Sequence, residues 1–572
     1  MTTMLSAEVQ RVLLIVGLAA TGYLLVLQWN EDYGPKGAVP RISEAPSVEP
    51  APGLDVVPQP ATPAEPAPTD TSDDVPDASL VGEVEAPAPP RHEAESAERL
   101  VRVTTNALDL WIDRLGGDIV RAQLPRYPMS LETPDVPFVI LDSGGGHTYV
   151  AQSGLVGPDG VDSSGQRPLY KVEANEYHFT NAPGMVRLAA TVDDVTVHKT
   201  FELTPDEYVI GMRYEVDNGR NTPIDTALFA QLKRDDHEAY GEKSFTLGPQ
   251  PYLGAALTTN EERYQKLSFG DLDDEAFREP VTGGWIAILQ HYFLSAWVAN
   301  PENGNRYYGH RRDDGTYVVG YTAPLERVEP GATGTFSARF YAGPKDQDTL
   351  EKIAPNLNLT VDYGFLWWLA VPLFHLLKWL QSLVGNWGVA IILLTLVVKL
   401  ALYPLSAASY KSMANMRRVA PQLKRLQERH SDDRQKLSQE MMALYQKEKI
   451  NPLGGCLPIL LQMPVFIALY WVLFESVELR HAPFFLWIVD LAAMDRFFVL
   501  PILMGATMYV QQLLNPPIPD PVQARVMKFM PIMFTVLFLF FPAGLVLYWL
   551  VNNVLSIAQQ WFITRQIEKA GT

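Results

Sequence analysis

The last third of this 572-residue chain is mostly apolar, so the few polar groups set into it are where function should be sought. The sharpest is Lys399, in the run LLTLVVKLALYPL. A formal charge inside an apolar helix is costly and marks a working position by default. Thr395 lies one turn earlier on the same face. Gln462 interrupts LLQMPVF, and LVLYWLVNNVLSIAQQ sets Tyr548, Asn552 and Ser556 at i, i+4 and i+8, with Trp549, Asn553 and Gln560 on the adjoining stripe. One cation, several amides and aromatic walls describe a polar concavity within a helical bundle, open to the cytoplasm and holding one unpaired positive charge. Two plainer readings stand beside it: Lys399 snorkels to the headgroups, and the polar stripe serves helix–helix hydrogen bonding.

Bond-making chemistry finds no support elsewhere. The chain has no GxxxxGK[ST], no nucleophile elbow, no HExxH and no EF-hand loop. His147, His178, His198, His291 and His310 are scattered without metal-ligand spacing, so no catalytic residue, metal or cofactor is expected. A net charge of -19 argues against a general nucleic-acid binder, and no readout of nucleic-acid sequence is expected. The single cysteine, Cys456, rules out an intramolecular disulfide.

The elements that must position these groups follow from composition. Residues 12–27 form an uncharged apolar run without a small-residue cleavage site after it, which predicts an uncleaved N-terminal anchor over 1–29. A Pro-, Ala- and acid-rich stretch over 30–98 has too few large apolar residues to offset ordering entropy and reads as an extended linker. From 99 to 345 the texture becomes period-2 alternation broken by Asn-Gly, Pro-Gly and Gly-Gly, which predicts a large antiparallel β-sandwich. Its opening, NALDLWIDRLGGDIVRAQL, resembles the start of the galactose-mutarotase-like supersandwich.

Residues 346–382 read as connecting helices, the second an amphipathic helix at the membrane surface, with a span interrupted by Pro372 as the alternative. The 383–572 segment then carries five spans, at 384–403, 458–474, 497–514, 526–541 and 544–562, the last two joined at a Pro542-Ala543 corner. Between the first two, 404–452 reads as a cytoplasmic helical hairpin. Pro421 opens its first well-formed segment, Ser431-Asp432-Asp433 makes the turn, and Val419, Leu423 and Leu426 face Leu437, Met441 and Leu444. This loop holds ten Lys and Arg against five acids, which places it in the cytoplasm. With the anchor, six spans put both termini in the cytoplasm and the β-domain outside.

TLVVKLALYPLS, MALYQKEKINPLGGCLPILLQMPVFIALYWVL, PILMGAT and KFMPIMFTVLFLFFPAGLVLYWLVNN together resemble the YidC/Oxa/Alb insertase family, with the anchor and β-domain of its long Gram-negative form. The resemblance spans essentially the whole chain. It implies a fold with an N-terminal anchor, a periplasmic all-β supersandwich and a five-helix core in the bacterial inner membrane. It also implies a membrane insertase and chaperone, not an enzyme, that receives nascent membrane proteins in a positively charged groove open to cytoplasm and lipid. The chain would act alone or with a Sec-type translocon, with transient ribosome contact. Lys399 matches the groove's basic residue, usually Arg, and Thr395 and Trp549 match its outer contact, where Tyr is common in place of Trp549. Gln462, Tyr548, Asn552 and Asn553 complete the expected groove. The classes left beside this one are a small-solute channel or transporter and a membrane-anchored carbohydrate-binding protein.

Overall fold

The computed structural model describes residues 99–144, 147–162, 167–237, 251–430, 433–448, 457–515 and 521–570. The expected anchor and linker, the tip of the basic loop and the NPLGGC stretch lie outside them.

Two sheets form the β-domain. The larger has eleven strands. Its path runs from Phe277–Thr282 through Gly304–Arg311, Tyr317–Thr322, Ile224–Arg234, His147–Val156, Pro137–Gly144, Asp118–Pro128 and Asp109–Asp113 to Leu100–Thr105 and Glu176–Phe179, and Glu326–Val328 pairs to one side. The second has eight strands in the order Gln265–Leu267, Gly254–Leu257, Trp285–Leu289, Phe293–Val298, Thr333–Pro344, Val209–Asn218, Val195–Leu203 and Gly184–Val192. Pairing is antiparallel except between Leu100–Thr105 and Glu176–Phe179, which run parallel. Four strands intervene between these two, and that length is what a parallel return needs. One hairpin turn escapes the Gly and Pro signals: Asp193 and Asp194 both take positive φ and join two paired strands, as a two-residue turn of this hand requires.

The inner faces of the two sheets enclose one core, with Val103, Leu110, Phe201, Tyr214, Leu232 and Trp297 fully buried. The smaller sheet has a second buried face. Along 285–289 and 293–298 one alternate set (Ile286, Ile288, Phe293, Trp297) enters the first core, and the other (Trp285, Ala287, Leu289, Leu294, Ala296) enters a second. Sequences such as WIAIL and FLSAWV are therefore apolar throughout instead of alternating. This second core continues without a break into the helical half.

The helices, in chain order, are α1 Phe269–Asp274, α2 Gln347–Ile353, α3 Trp367–Val384, α4 Trp387–Ala401, α5 Tyr403–Arg429, α6 Arg434–Lys447, α7 Leu457–Glu475, α8 Val499–Leu514, α9 Pro521–Phe538 and α10 Ala543–Ala570. Helix α3 keeps Pro372 inside it and buries Ala370, Leu373, Phe374, Leu377 and Leu380 on one face, while Trp367, Trp368 and Trp379 stay exposed. Among the described residues no single helix is both long and apolar enough to cross a membrane. Helix α4 with the first part of α5 is, across a bend of 68°. Gln462–Glu475 and Val499–Leu514 are shorter apolar helices.

The basic loop departs from expectation at one point. Pro421 does not open a helix; it lies inside α5, which begins at Tyr403 with Pro404 in its first turn. Proline suits a first helical turn because its missing N–H has no partner there, so Pro404 is the stronger start signal. Val419, Leu423 and Tyr445 form the small core between α5 and α6, with Met416, Met441 and Leu444 against it.

The β-domain is fixed to the bundle. Lys345 donates to the Glu475 carboxylate at 2.6 Å with both side chains buried. His291 donates from Nε2 to the Phe474 carbonyl at 2.9 Å, and burial holds its pKa down at about 3, so the ring stays neutral. Arg480 donates to the carbonyls of Pro128 and Met129 and lies over the rings of Phe138 and Phe293. The first two contacts grip the end of α7, and the third grips the segment just after it.

Candidate functional site

Helix α4 starts where Asn386 caps it by accepting from Val389 N, and three turns later carries Lys399 on its buried face with Ile391, Leu394 and Thr395. The lysine does not reach outward. It is 6% exposed, and its ammonium donates to Ser556 Oγ of α10 at 2.7 Å and to Gln462 Oε1 of α7 at 3.2 Å. Snorkelling to headgroups would instead need the side chain to extend away from these partners. Gln462 turns its amide to Asn552 Oδ1, and Ser556 donates to the Asn552 carbonyl at 2.7 Å. Three helices far apart in sequence thus meet at one amine. Both of its partners are neutral, and among the described residues no carboxylate pairs with it.

The other expected residues divide between two neighbouring environments. Asn553 faces α8, donating to Thr507 Oγ1 at 3.3 Å, and Gln560 continues that seam by donating to the Leu514 carbonyl at 3.0 Å. Both bonds run between α10 and the α8 end of the bundle, the kind of contact that the helix–helix alternative describes. Tyr548 and Trp549 lie in an aromatic layer. Phe466 stacks on Tyr548 and meets Trp549 edge-on at 4.4 Å, and Phe534 and Phe538 of α9 also pack against Trp549. An indole donor from Trp549 to Thr395 does not form: the buried Nε1 of Trp549 has no hydrogen-bond partner among the described residues. The Thr395 hydroxyl donates to Ile391 O of its own helix at 2.7 Å. Ser556 is the residue whose importance exceeds its sequence signal. Its place at i+8 from Tyr548 put it on the right stripe, but only packing brings it to the amine. Thr507 carried no signal at all, because a threonine can bond its own helix.

Beyond the aromatic layer the segment joining α7 to α8 closes one end of the bundle. Asn386 donates to the carbonyls of Pro483 and Phe484. A Cβ at Gly388 would stand 2.1 Å from the Phe484 ring, so only glycine lets α4 approach it. Ala543 N and Gly544 N, at the start of α10, donate to Ala493 O and Leu491 O. Asp495 accepts from Trp487 Nε1, Phe497 N and Leu500 N, which ties the same segment to the start of α8. From this end inward, the order is a hydrogen-bonded cap, an aromatic layer and a buried amine among amides and a hydroxyl.

Known proteins resemble the chain along its length. Residues 379–570 match the family described as 60Kd inner membrane protein, and residues 100–376 match the YidC periplasmic domain. A protein of Ectopseudomonas mendocina (strain ymp) named membrane protein insertase YidC is 50% identical over 589 residues, covering 99% of each chain. One of the same name from Azotobacter vinelandii is 50% identical over 567 residues, again with 99% of each covered. A solved structure, that of an active YidC insertase with its first transmembrane domain resolved, is 18% identical with a TM-score of 0.36 over 80% of this chain and 92% of that one. Identity at this level across the β-domain and the helical half together decides membership: the chain belongs to the YidC family of membrane protein insertases.

Proposed function

We propose that the chain inserts nascent membrane proteins into the bacterial inner membrane, with Lys399 as the receiving charge. The observation that carries this reading is a buried ammonium whose partners are both neutral. Amide and hydroxyl oxygens satisfy two of its three N–H groups without cancelling its charge, so an entering carboxylate gains a full charge pair. Gln462, Asn552 and Ser556 hydrate the path beside it, and Tyr548 and Trp549 wall its outer side. A short acidic extracytoplasmic segment of the substrate is drawn to Lys399, and the hydrophobic span then leaves sideways into lipid, driven by apolar burial of ~25 cal/mol per Å². No covalent bond is made or broken, and no cofactor is called for.

The membrane-spanning elements in this reading are α4, α7, α8, α9 and α10, together with an anchor at 12–27. The stretch 526–541, which carries Lys528 near its start, is ~24 Å as a helix and shorter than a ~30 Å hydrocarbon core, which favours local thinning and a shorter polar crossing. The basic α5–α6 arm lies in the cytoplasm beside the groove mouth, and the β-domain lies in the periplasm. The partners are nascent chains and lipid, with a Sec-type translocon and transient ribosome contact inferred from the resemblance.

The test pairs substrates that differ only in an acidic or neutral translocated segment. Lys399→Arg keeps insertion of both, Lys399→Ala impairs the acidic one more, and Lys399→Glu is worse still. Equal losses for both substrates in Lys399→Ala would remove the electrostatic step.

A further inference from the structure

The loop between α7 and α8 is folded inside out relative to a loop in water. Two of its three carboxylates turn inward: Asp490 accepts from His481 N at 3.1 Å and Ala492 N at 2.8 Å, and Asp495 accepts from two backbone amides and the Trp487 indole as described above. Its bulky apolar groups turn outward. Leu486 is 86% exposed, Val489 58% and Phe485 57%. The run APFFLWIV at 482–489 holds no charge.

This arrangement is held in place. Six non-glycine residues among those described have positive φ, and three of them, His481 at 59°, Leu486 at 58° and Phe498 at 57°, lie in or bound this one segment. A leucine is disfavoured there, so its neighbours must impose the conformation. They do so through a tight turn in which Phe484 N donates to Ile488 O at 2.9 Å and Ile488 N to Phe485 O at 3.2 Å. The turn is anchored beneath by Phe484 against Gly388 and by Leu491 N donating to Ala482 O. A strained turn on a rigid base that presents leucine, phenylalanine and valine has no stabilising logic in water, where each exposed side chain is better folded under.

The environment that fits is lipid. The tip sits at the outer ends of α4, α8 and α10, and the apolar belt continues below it through exposed Leu383 and Val384 beside α4 and Ile502 and Leu503 on α8. We propose that Phe485, Leu486 and Val489 form a fixed wedge inserted into the outer leaflet of the bilayer, at the boundary of headgroups and acyl chains. The wedge sets the depth of the outer cap in the membrane. The inference rests on the membrane placement of the helices, and the experiment separates the two.

In a Cys456→Ser background, single cysteines from Leu486→Cys, Val489→Cys, Leu503→Cys and Asn300→Cys are labelled with an environment-sensitive nitrobenzoxadiazole dye. Each full-length protein is reconstituted in phosphatidylcholine–phosphatidylglycerol vesicles. Leu503→Cys reports embedding of α8, and Asn300→Cys, on the exposed surface of the β-domain, reports water. The wedge predicts blue-shifted emission at 486 and 489, at least threefold less iodide quenching than at 300, and stronger quenching by lipids brominated high on the chain than by those brominated near its end. Iodide access at 486 and 489 equal to that at 300, with 503 quenched by bromolipid, overturns the wedge and leaves the membrane placement standing. Shielding from iodide without bromolipid quenching means that a protein surface covers the tip, and this also overturns it. Loss of bromolipid quenching at 503 removes the membrane placement and the wedge with it.

Discussion

Two buried lysines, one in each half of the molecule, differ in the charges that surround them. Lys199 in the β-sandwich is fully buried and donates to the carbonyls of Gly116 and Ser153, both at 3.1 Å. Close by, Arg167 joins Asp118 and Asp162 at 2.6 and 2.8 Å, so positive and negative groups are matched within a closed core. The turn Gly116-Gly117 makes this possible. Both residues have positive φ, and a Cβ on either would strike Arg167 or Lys199. Lys399, like Lys199, donates only to neutral oxygens, but among the described residues no carboxylate stands close to it as Asp118 and Asp162 do to Lys199. A matched buried charge serves structure, and an unmatched one keeps its attraction for something that arrives later.

The largest effect expected on that comparison comes from breaking the matched cluster. Arg167→Ala leaves Asp118 and Asp162 buried without their cation and should cost the β-sandwich about 3–5 kcal/mol. Urea unfolding of the detergent-solubilised chain, followed by the sheet signal in circular dichroism, checks this. A loss under about 1 kcal/mol would mean that solvent reaches the cluster and would weaken the contrast with Lys399.

A smaller effect depends on pH. Burial is the main force lowering the Lys199 pKa, to about 7, opposed by Asp118 and Asp162 and aided by Arg167. In the unfolded chain the amine titrates near its ordinary value of 10.5. Between these values the unfolded state holds a proton that the folded state lacks, so stability rises with pH across the window and is flat below it. The slope is at most about 1.4 kcal/mol per pH unit. Comparing unfolding at pH 7 and pH 9, Lys199→Met should lose this rise.

Making the unmatched lysine resemble the matched one sharpens the comparison further. Ser556→Asp gives Lys399 a carboxylate and should erase the preference for acidic over neutral translocated segments, a change of up to about fivefold for a pair worth 0–1 kcal/mol. Insertion assays with the paired substrates measure it, and an undiminished preference would show that the charge acts elsewhere. The smallest effects belong to Thr395→Val and Trp549→Phe. The Thr395 hydroxyl bonds its own helix and the Trp549 nitrogen bonds nothing among the described residues, so each should change insertion less than about twofold. A tenfold loss in either would mean that the two side chains meet during the working cycle.

Much of this was legible in the sequence for a local reason. Period-2 texture over 99–345 marked the sandwich, and polar residues in apolar runs marked Lys399, Gln462 and Asn552, because both signals repeat within a few residues. The misread Pro421 has a local cause too: Pro404 already supplied the helix start, and a helix as long as α5 accommodates an internal proline. The unbroken runs at 285–289 and 293–298 held a further message. A strand that is apolar on both faces needs two cores, and the second is the junction with the bundle.

Sequence alone determined which residues are polar where polarity is costly, which strands alternate, and which loop is basic. Only the tertiary structure decided who satisfies whom. Lys399 meets Gln462 and Ser556 across 63 and 157 residues, while Thr395, one turn away from it, turns to its own backbone. The Lys345–Glu475 pair that locks the β-domain to α7 spans 130 residues. Local periodicity fixes the face on which a side chain stands, but its partner is chosen by how distant helices and sheets pack, and no repeat along the chain encodes that choice.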